Sequence, residues 1–199
     1  LALLEALKPE RRIWIVSPTT DLSQRVFTYV IKYVSGIFSS GVKMTTKPFN
    51  KITLANGSYI ECRTAENPVS LLGEELDLLI VDEAAMVKPN IYERYLFPTT
   101  SSRKGISVFI STPNGRNWFH NKFTQCKESD SAFNFPSSIN PFLSKEEVER
   151  ARELLPEDTF KQEYLAQFLD NAAQVFRKVR SCVREDCLSA PIIYLWFFF

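Results

Sequence analysis

Three short runs of consecutive apolar residues indicate strands that are buried on both faces. They are "RIWIVSP" (12–18), "LDLLIVDEA" (76–84) and "ISVFISTP" (106–113). Runs of this length that are rich in β-branched and aromatic residues are typical of a parallel sheet, because helices cover both of its faces. "KITLANGSYIECR" (51–63) differs, since two alternating runs flank Asn56-Gly57. That pattern predicts a hairpin with a tight turn.

Helical periodicity fills segments between and after these strands. Apolar residues recur at helical spacing from about Leu22 to Phe38, and Asp21 is the predicted cap of that helix. Further helices are predicted over residues 2–8, 91–97, 117–127, 144–155 and 157–169. We expect Pro98 to end the helix before it and residues 131–136 to form a short strand. Strands that alternate with helices predict an α/β fold with a mainly parallel sheet flanked by helices.

Length and composition are those of an ordinary globular protein. The 199 residues correspond to one domain, or to one domain and a piece of another. The net charge of +1 argues neither for nor against a nucleic-acid partner. Four cysteines without a C-x-x-C pair and a single histidine argue against a structural zinc site. The apolar C-terminal run "IIYLWFFF" is far shorter than the roughly 20 residues that span a bilayer, so no membrane partner is expected.

Two adjacent carboxylates, Asp82 and Glu83, follow the second apolar run directly. Open parallel sheets bind ligands at the carboxyl ends of their strands, which is where both side chains would lie. In a nucleoside triphosphatase, Asp82 would hold magnesium through its water shell and Glu83 would orient and polarise the attacking water. The alternative is a strand that meets an acidic helix start, where the helix dipole favours Asp and Glu.

A second polar segment, "FISTPNG" (109–115), follows the third apolar run. Ser111 and Thr112 would lie beside the carboxylates if the two strands are neighbours, and their hydroxyls could then sense a γ-phosphate. Turn formation alone also accounts for this composition. The order and spacing of the two segments favour the sensor. Gly73, upstream of the carboxylates, indicates a tight turn, a close backbone approach or an ordinary loop.

The run "RTAENPVSLLGEELDLLIVDEAAMV" followed by "ISVFISTPNGRNWFHNKF" resembles the large terminase subunit of tailed bacteriophages and prophages. That family's packaging ATPase has an aliphatic strand ending in Asp-Glu, the Walker B element, and then a Ser/Thr-Thr-Pro coupling element. The resemblance covers roughly residues 1 to 180. It implies a P-loop NTPase-like core of the RecA/helicase-like ASCE class. Residue by residue, it implies that Asp82 holds the metal, that Glu83 is catalytic and that Ser111 and Thr112 contact the nucleotide.

For the protein as a whole, the resemblance implies a motor that uses ATP and Mg²⁺ to drive double-stranded DNA into a procapsid. Residues 1–169 would form the packaging ATPase domain. Residues 170–199 would be a linker and the truncated start of an RNase H-like nuclease domain. The implied partners are DNA, a portal protein, a small terminase subunit and further copies in a ring. The implied location is the cytoplasm of the bacterial host.

The sequence departs from the family pattern in three ways. It contains no G-x-x-x-x-G-K-[ST] phosphate loop, so "LALLEAL" is expected to be the tail of the phosphate-loop helix, with the loop lost upstream. Leu72 stands where many members place an arginine, so no arginine finger is assigned. The acidic cluster that a two-metal nuclease needs is not convincing. Both ends are therefore expected to be cuts, and the fragment alone is expected to be inactive.

Two other interpretations stay open. A helicase-like (DExx) ATPase also pairs such strands, but it needs a second motor domain downstream. A degenerate prophage remnant without catalysis would explain the tail after about Cys182, which continues no family pattern. Basic side chains near the hairpin and the sheet edge could contact DNA phosphates, although a solvated surface accounts for them equally well. These are Lys43, Lys47, Lys51, Arg103, Lys104 and Arg116.

Overall fold

A six-stranded mixed sheet forms the centre of the computed structural model, which describes residues 1–38 and 40–169. The strands are β1 (Arg12–Ser17), β2 (Val42–Thr45), β3 (Asn50–Leu54), β4 (Tyr59–Thr64), β5 (Leu78–Val81) and β6 (Ile106–Phe109). Their order across the sheet is β2-β3-β4-β1-β5-β6. Strands β4, β1, β5 and β6 run parallel to one another, whereas β2 and β3 are antiparallel. The predicted α/β fold with a mainly parallel sheet and the predicted hairpin are both confirmed.

Helices cover both faces of the sheet. They are α1 (Ala2–Ala6), α2 (Thr20–Ile37), α3 (Pro89–Ile91), a π-helical segment (Tyr92–Leu96), α4 (Phe97–Ser101), α5 (Trp118–Lys127), α6 (Lys145–Leu154) and α7 (Glu157–Glu163). Short 3₁₀ turns lie at Pro68–Leu71, Ala84–Met86 and Ser137–Ile139. Within the described residues, none of the helices combines the length and the apolar character that crossing a membrane requires.

The apolar run of β1 is continuous because its side chains enter two separate cores. Ile13 and Ile15 pack on the face covered by α1 and α2, together with Phe27 of α2. Trp14 and Val16 pack on the opposite face, under α5 and the helical segment 89–101. Successive strand residues point to opposite faces, so only a strand covered on both sides needs an unbroken apolar sequence.

Two predictions about helix ends are wrong. The cap of α2 is Thr19, whose hydroxyl accepts a hydrogen bond from Leu22 N at 3.3 Å, while Asp21 lies inside the first turn. The helical backbone also continues past Pro98 to Ser101. It does so because the preceding turn is π-helical, so that Pro98 falls at the start of α4, where a missing N–H is tolerated.

Strand β6 differs most from its prediction as a buried strand. Within the described residues only β5 pairs with it, and the side chain of Ile106 is 66% exposed. A groove of about 800 Å³ runs along this edge. Residues 131–136 form no strand; Phe133 and Phe135 instead line the groove from the far side.

Gly105, between α4 and β6, is the position where the backbone requires a glycine. A Cβ there would lie 2.2 Å from the carbonyl oxygen of Leu76. We expect Gly105→Ala to lower the free energy of unfolding by about 1–3 kcal/mol, since the backbone must shift to relieve the contact. Equilibrium urea unfolding measures this loss. By contrast, Gly73 has φ +82° and open space around it, which confirms the tight turn among its predicted roles.

Gly36 provides a matched control for Gly105, because it lies within α2 and a Cβ there would meet nothing within 4 Å. Gly36→Ala is expected to raise the free energy of unfolding by about 0.4–1 kcal/mol. Equal effects of the two substitutions would contradict the steric explanation.

Candidate functional site

The carboxyl ends of β1, β5 and β6 bring the predicted site residues to one edge of the sheet. Asp82 and Glu83 follow β5, and Ser111 and Thr112 follow β6 after one residue. These two strands are parallel neighbours, with Val81 opposite Phe109. The sequence expectation that the two segments lie side by side is therefore confirmed. Ligands of open α/β sheets bind at this edge.

Asp82 is half-buried and hydrogen-bonded to the neighbouring strand end. Ser17, the fully buried last residue of β1, donates from Oγ to Asp82 Oδ2 at 3.5 Å. Burial raises the pKa of the Asp82 carboxyl and outweighs the opposing effects of the Glu83 N–H and the Ser17 hydroxyl. Sequence reasoning missed Ser17, although a polar residue at the end of an apolar run, just before Pro18, was the available signal.

Glu83 has an unusual backbone. Its φ of +46° and ψ of +47° place it in the left-handed region, which costs a non-glycine residue about 1–2 kcal/mol. Ser111 Oγ donates to Glu83 Oε2 at 3.4 Å and accepts from Ala85 N at 3.1 Å. Thr112 lines the same groove as Glu83 and Ser111. The structure therefore gathers Glu83, Ser111 and Thr112 at one end of the groove along β6.

Residues around the start of α5 hold the turn that follows Glu83. The side chain of Asn117 donates from Nδ2 to the carbonyl oxygen of Ala85 at 3.1 Å. Trp118 donates from Nε1 to the carbonyl oxygen of Val87 at 2.6 Å. Sequence reasoning placed both residues only at a helix start and gave them no part in the site. A bond from a side chain to a backbone 31 or 32 positions away leaves no periodic signal.

The donor set at this edge fits one kind of metal site. Among residues 1–38 and 40–169, no three His, Cys, Asp or Glu side chains gather in a way that could hold a metal. Magnesium commonly keeps several waters and uses one or two carboxylates together with substrate phosphates. The Asp82 carboxylate, with the Ser17 hydroxyl beside it, fits that open arrangement rather than a closed protein cage.

Two of the basic candidates for DNA contact are engaged in ion pairs. Arg103 Nε lies 3.1 Å from Asp77 Oδ1, at the amino end of β5 and thus at the opposite edge from Asp82. Lys51 Nζ lies 3.5 Å from Glu61 Oε2 on the neighbouring strand. Both pairs account for these side chains without a nucleic acid.

Comparison with known sequences gives a match over most of the chain. The sequence model of the family described as terminase large subunit, T4likevirus-type, N-terminal, matches residues 1–180. The chain is 28% identical over 204 aligned residues to the terminase large subunit of Thermus phage G20c, covering 85% of this chain and 42% of the relative. It is 29% identical over 183 residues to that of Escherichia phage T5, covering 88% and 41%. The chain thus spans about two fifths of the length of these curated relatives.

Solved structures match the same part of the chain. A point mutant of the large terminase ATPase domain of Thermus phage P74-26 superposes with a TM-score of 0.69 and 24% identity, covering 84% of this chain and 81% of that domain. The large terminase of another thermophilic bacteriophage, in complex with ADP, gives 0.67 and 17%, covering 83% and 42%. The same terminase in complex with ATP-γ-S gives 0.65 and 14%, with the same coverage. These likenesses show the expected P-loop NTPase-like fold of the ASCE class.

Proposed function

Because the chain belongs to the family of terminase large subunits of the T4-like-virus type, we propose that it carries the ATP-hydrolysing part of a motor that packages double-stranded DNA into procapsids. The observation that carries this proposal is the meeting of Glu83 and Ser111 at the ends of two neighbouring parallel strands. A carboxylate beside a strand-end hydroxyl is the arrangement that hydrolysis coupled to a conformational signal requires.

Each site residue has a proposed role. Asp82 holds Mg²⁺ through its water shell, with Ser17 orienting the carboxylate. The bound metal neutralises charge on the nucleotide phosphates. Glu83 orients and polarises the attacking water. Ser111 and Thr112 sense the γ-phosphate, and Ser111 passes the signal on because it also bonds the backbone of Ala85.

The other half of the nucleotide site is missing from the sequence. None of the 199 residues forms a G-x-x-x-x-G-K-[ST] loop, whose backbone amides and lysine would grip the phosphates. We propose that residues outside this sequence supply that loop. The 199-residue chain by itself should then bind ATP weakly or not at all, whereas the intact protein binds it. The ADP and ATP-γ-S complexes of the thermophilic-phage terminase support nucleotide binding at a core of this fold.

The domain division and the partners follow from the family. Residues 1–169 form the packaging ATPase domain. The predicted linker and nuclease start at 170–199 lies outside the described residues. The proposed partners of the intact protein are DNA, a portal protein, a small terminase subunit and further copies in a ring, within the bacterial cytoplasm. The family match favours this assignment over a helicase-like ATPase. Magnesium-dependent ATP hydrolysis by the intact protein tests the proposal, and a complete lack of hydrolysis would favour the prophage remnant.

Asp82→Asn is expected to weaken metal binding in the presence of nucleotide by at least about tenfold, because the amide cannot supply the anionic oxygen that the metal's water shell requires. Titration of the intact protein with Mn²⁺ and ADP, followed by electron paramagnetic resonance, measures this affinity. Asp130→Asn is the matched control, since Asp130 is exposed and its φ of +53° is one that asparagine tolerates. Equal affinities of the Asp82 variant and the control would exclude Asp82 as the metal-binding carboxylate.

A further inference from the structure

The left-handed conformation of Glu83 is held from outside its own strand. Within the turn, Met86 N donates to Glu83 O at 2.9 Å and Val87 N donates to Ala84 O at 3.1 Å. Ala84 N donates to the carbonyl oxygen of Ile110 at 3.0 Å. Unfavourable backbone conformations persist only where the surrounding structure determines them. The contacts made by β6 and α5 must therefore supply what the local sequence does not.

Asn117 joins two structural tasks in one side chain. Its Oδ1 accepts hydrogen bonds from Phe119 N at 3.0 Å and His120 N at 3.3 Å, so it caps α5. The cap fixes the orientation of the amide plane, and Nδ2 on the other side then points at the carbonyl oxygen of Ala85. The start of α5 and the turn after Glu83 are therefore connected through a single rigid group.

Trp118 is anchored just as firmly. Its ring stacks on Tyr92, with centroids 5.5 Å apart and an interplanar angle of 16°. It also meets the ring of Phe109 edge-on at 5.7 Å. Because Phe109 belongs to β6 and Tyr92 to the π-helical segment, the indole N–H that bonds Val87 O is held between two separate elements.

We propose that Asn117 and Trp118 are positioning residues that hold Glu83 in its left-handed conformation and so aim its carboxylate into the groove. This inference rests on the proposed role of Glu83 in ATP hydrolysis. Neither side chain bonds the carboxylate itself; each acts on the backbone just after it. A change at the start of α5 is thereby transmitted to Glu83 in addition to the path through Ser111.

Two variants remove the donors and keep the packing. Asn117→Ser retains a good helix cap but cannot reach Ala85 O. Trp118→Phe retains an aromatic ring and loses the N–H. In the intact protein each variant is expected to lower kcat for ATP hydrolysis about tenfold with KM within about twofold, because orientation is lost and binding is not. In a Glu83→Gln background the same substitutions should cause no further loss, which a merely structural role would not produce.

Trp14→Phe is the matched control, since the indole N–H of the buried Trp14 has no hydrogen-bond partner within the described residues. It should leave kcat unchanged. Hydrogen exchange on the 199-residue chain gives a second readout that needs no hydrolysis. Amides 84–87 should exchange about tenfold faster in both donor variants while those of β5 stay protected.

The two readouts separate this inference from the proposed function. Unchanged exchange at 84–87 overturns the inference, whether or not the protein hydrolyses ATP. Faster exchange with an unchanged kcat in a hydrolysing protein also overturns it. Faster exchange in a protein that never hydrolyses ATP supports the positioning of Glu83 and removes the ATPase proposal instead.

Discussion

Glu83→Gln is expected to lower the rate of ATP hydrolysis by the intact protein about 10²–10⁴-fold and to leave ATP affinity nearly unchanged. Glutamine has almost the same shape as glutamate, and its carbonyl oxygen can still accept the hydrogen bond from Ser111. It cannot polarise water or accept a proton, so the loss should fall on kcat and not on binding. Steady-state hydrolysis together with a direct measurement of ATP binding separates the two.

The control for this experiment is Glu93→Gln, because Glu93 is an exposed residue of the π-helical segment. It should hydrolyse ATP at the wild-type rate. If the Glu83 variant does the same, Glu83 is not the residue that activates water. If the variant instead fails to bind ATP, the carboxylate has a structural or binding role, and the proposed chemistry is wrong.

Asp77→Asn is expected to lower the free energy of unfolding by about 3 kcal/mol, since a buried carboxylate loses its charged partners. The Asp77 side chain is 4% exposed, and its Oδ1 lies 2.8 Å from Arg11 Nη1. Arg103 binds the same oxygen, and Oδ2 accepts from Arg12 N at 2.9 Å. The neutral amide would keep part of this network and place its N–H₂ group against a donor. Equilibrium urea unfolding of the 199-residue chain measures the loss.

The pH dependence of the same variant has a defined sign. Burial alone would raise the pKa of Asp77, but the Arg12 N–H and the guanidinium groups of Arg103 and Arg11 outweigh it and hold the pKa below its ordinary value. The stabilisation is then fully present above about pH 4, the unfolded value, and disappears as the pH falls through the folded value. The difference between wild type and Asp77→Asn should shrink accordingly. Asp21→Asn, at an exposed surface pair, is the control and should change stability by less than about 1 kcal/mol at any pH.

Predictions from the sequence succeeded where burial imposes a pattern. Strand β5 is buried at every position, so its apolar run is unbroken and the carboxylates that follow it are conspicuous. The same reasoning placed Ser111 and Thr112 on the neighbouring strand, although their proposed roles stay predictions. Edge strand β2 could not be found, because most of its side chains are exposed and no apolar alternation marks it.

Predictions failed where a distant contact decides the outcome. The π-helical turn that carries the chain past Pro98 is fixed by the packing of Tyr92 and Leu96 against the sheet, which the local sequence does not reveal. The exposure of β6 depends on how many strands lie beside it and not on its own residues. Asn117 was predicted as part of a helix, but its bond to Ala85 O follows only from the three-dimensional path of the chain.

The single-sided pairing of β6 has a practical consequence for the isolated chain. A strand that offers unpaired backbone groups beside exposed apolar side chains such as Ile106 and Ile110 is a template for pairing with another strand. Two copies that meet at this edge would form a continuous sheet, and further copies could nucleate aggregation. Stability and exchange measurements on different variants are therefore comparable only at one low protein concentration, with the association state checked by light scattering before each experiment.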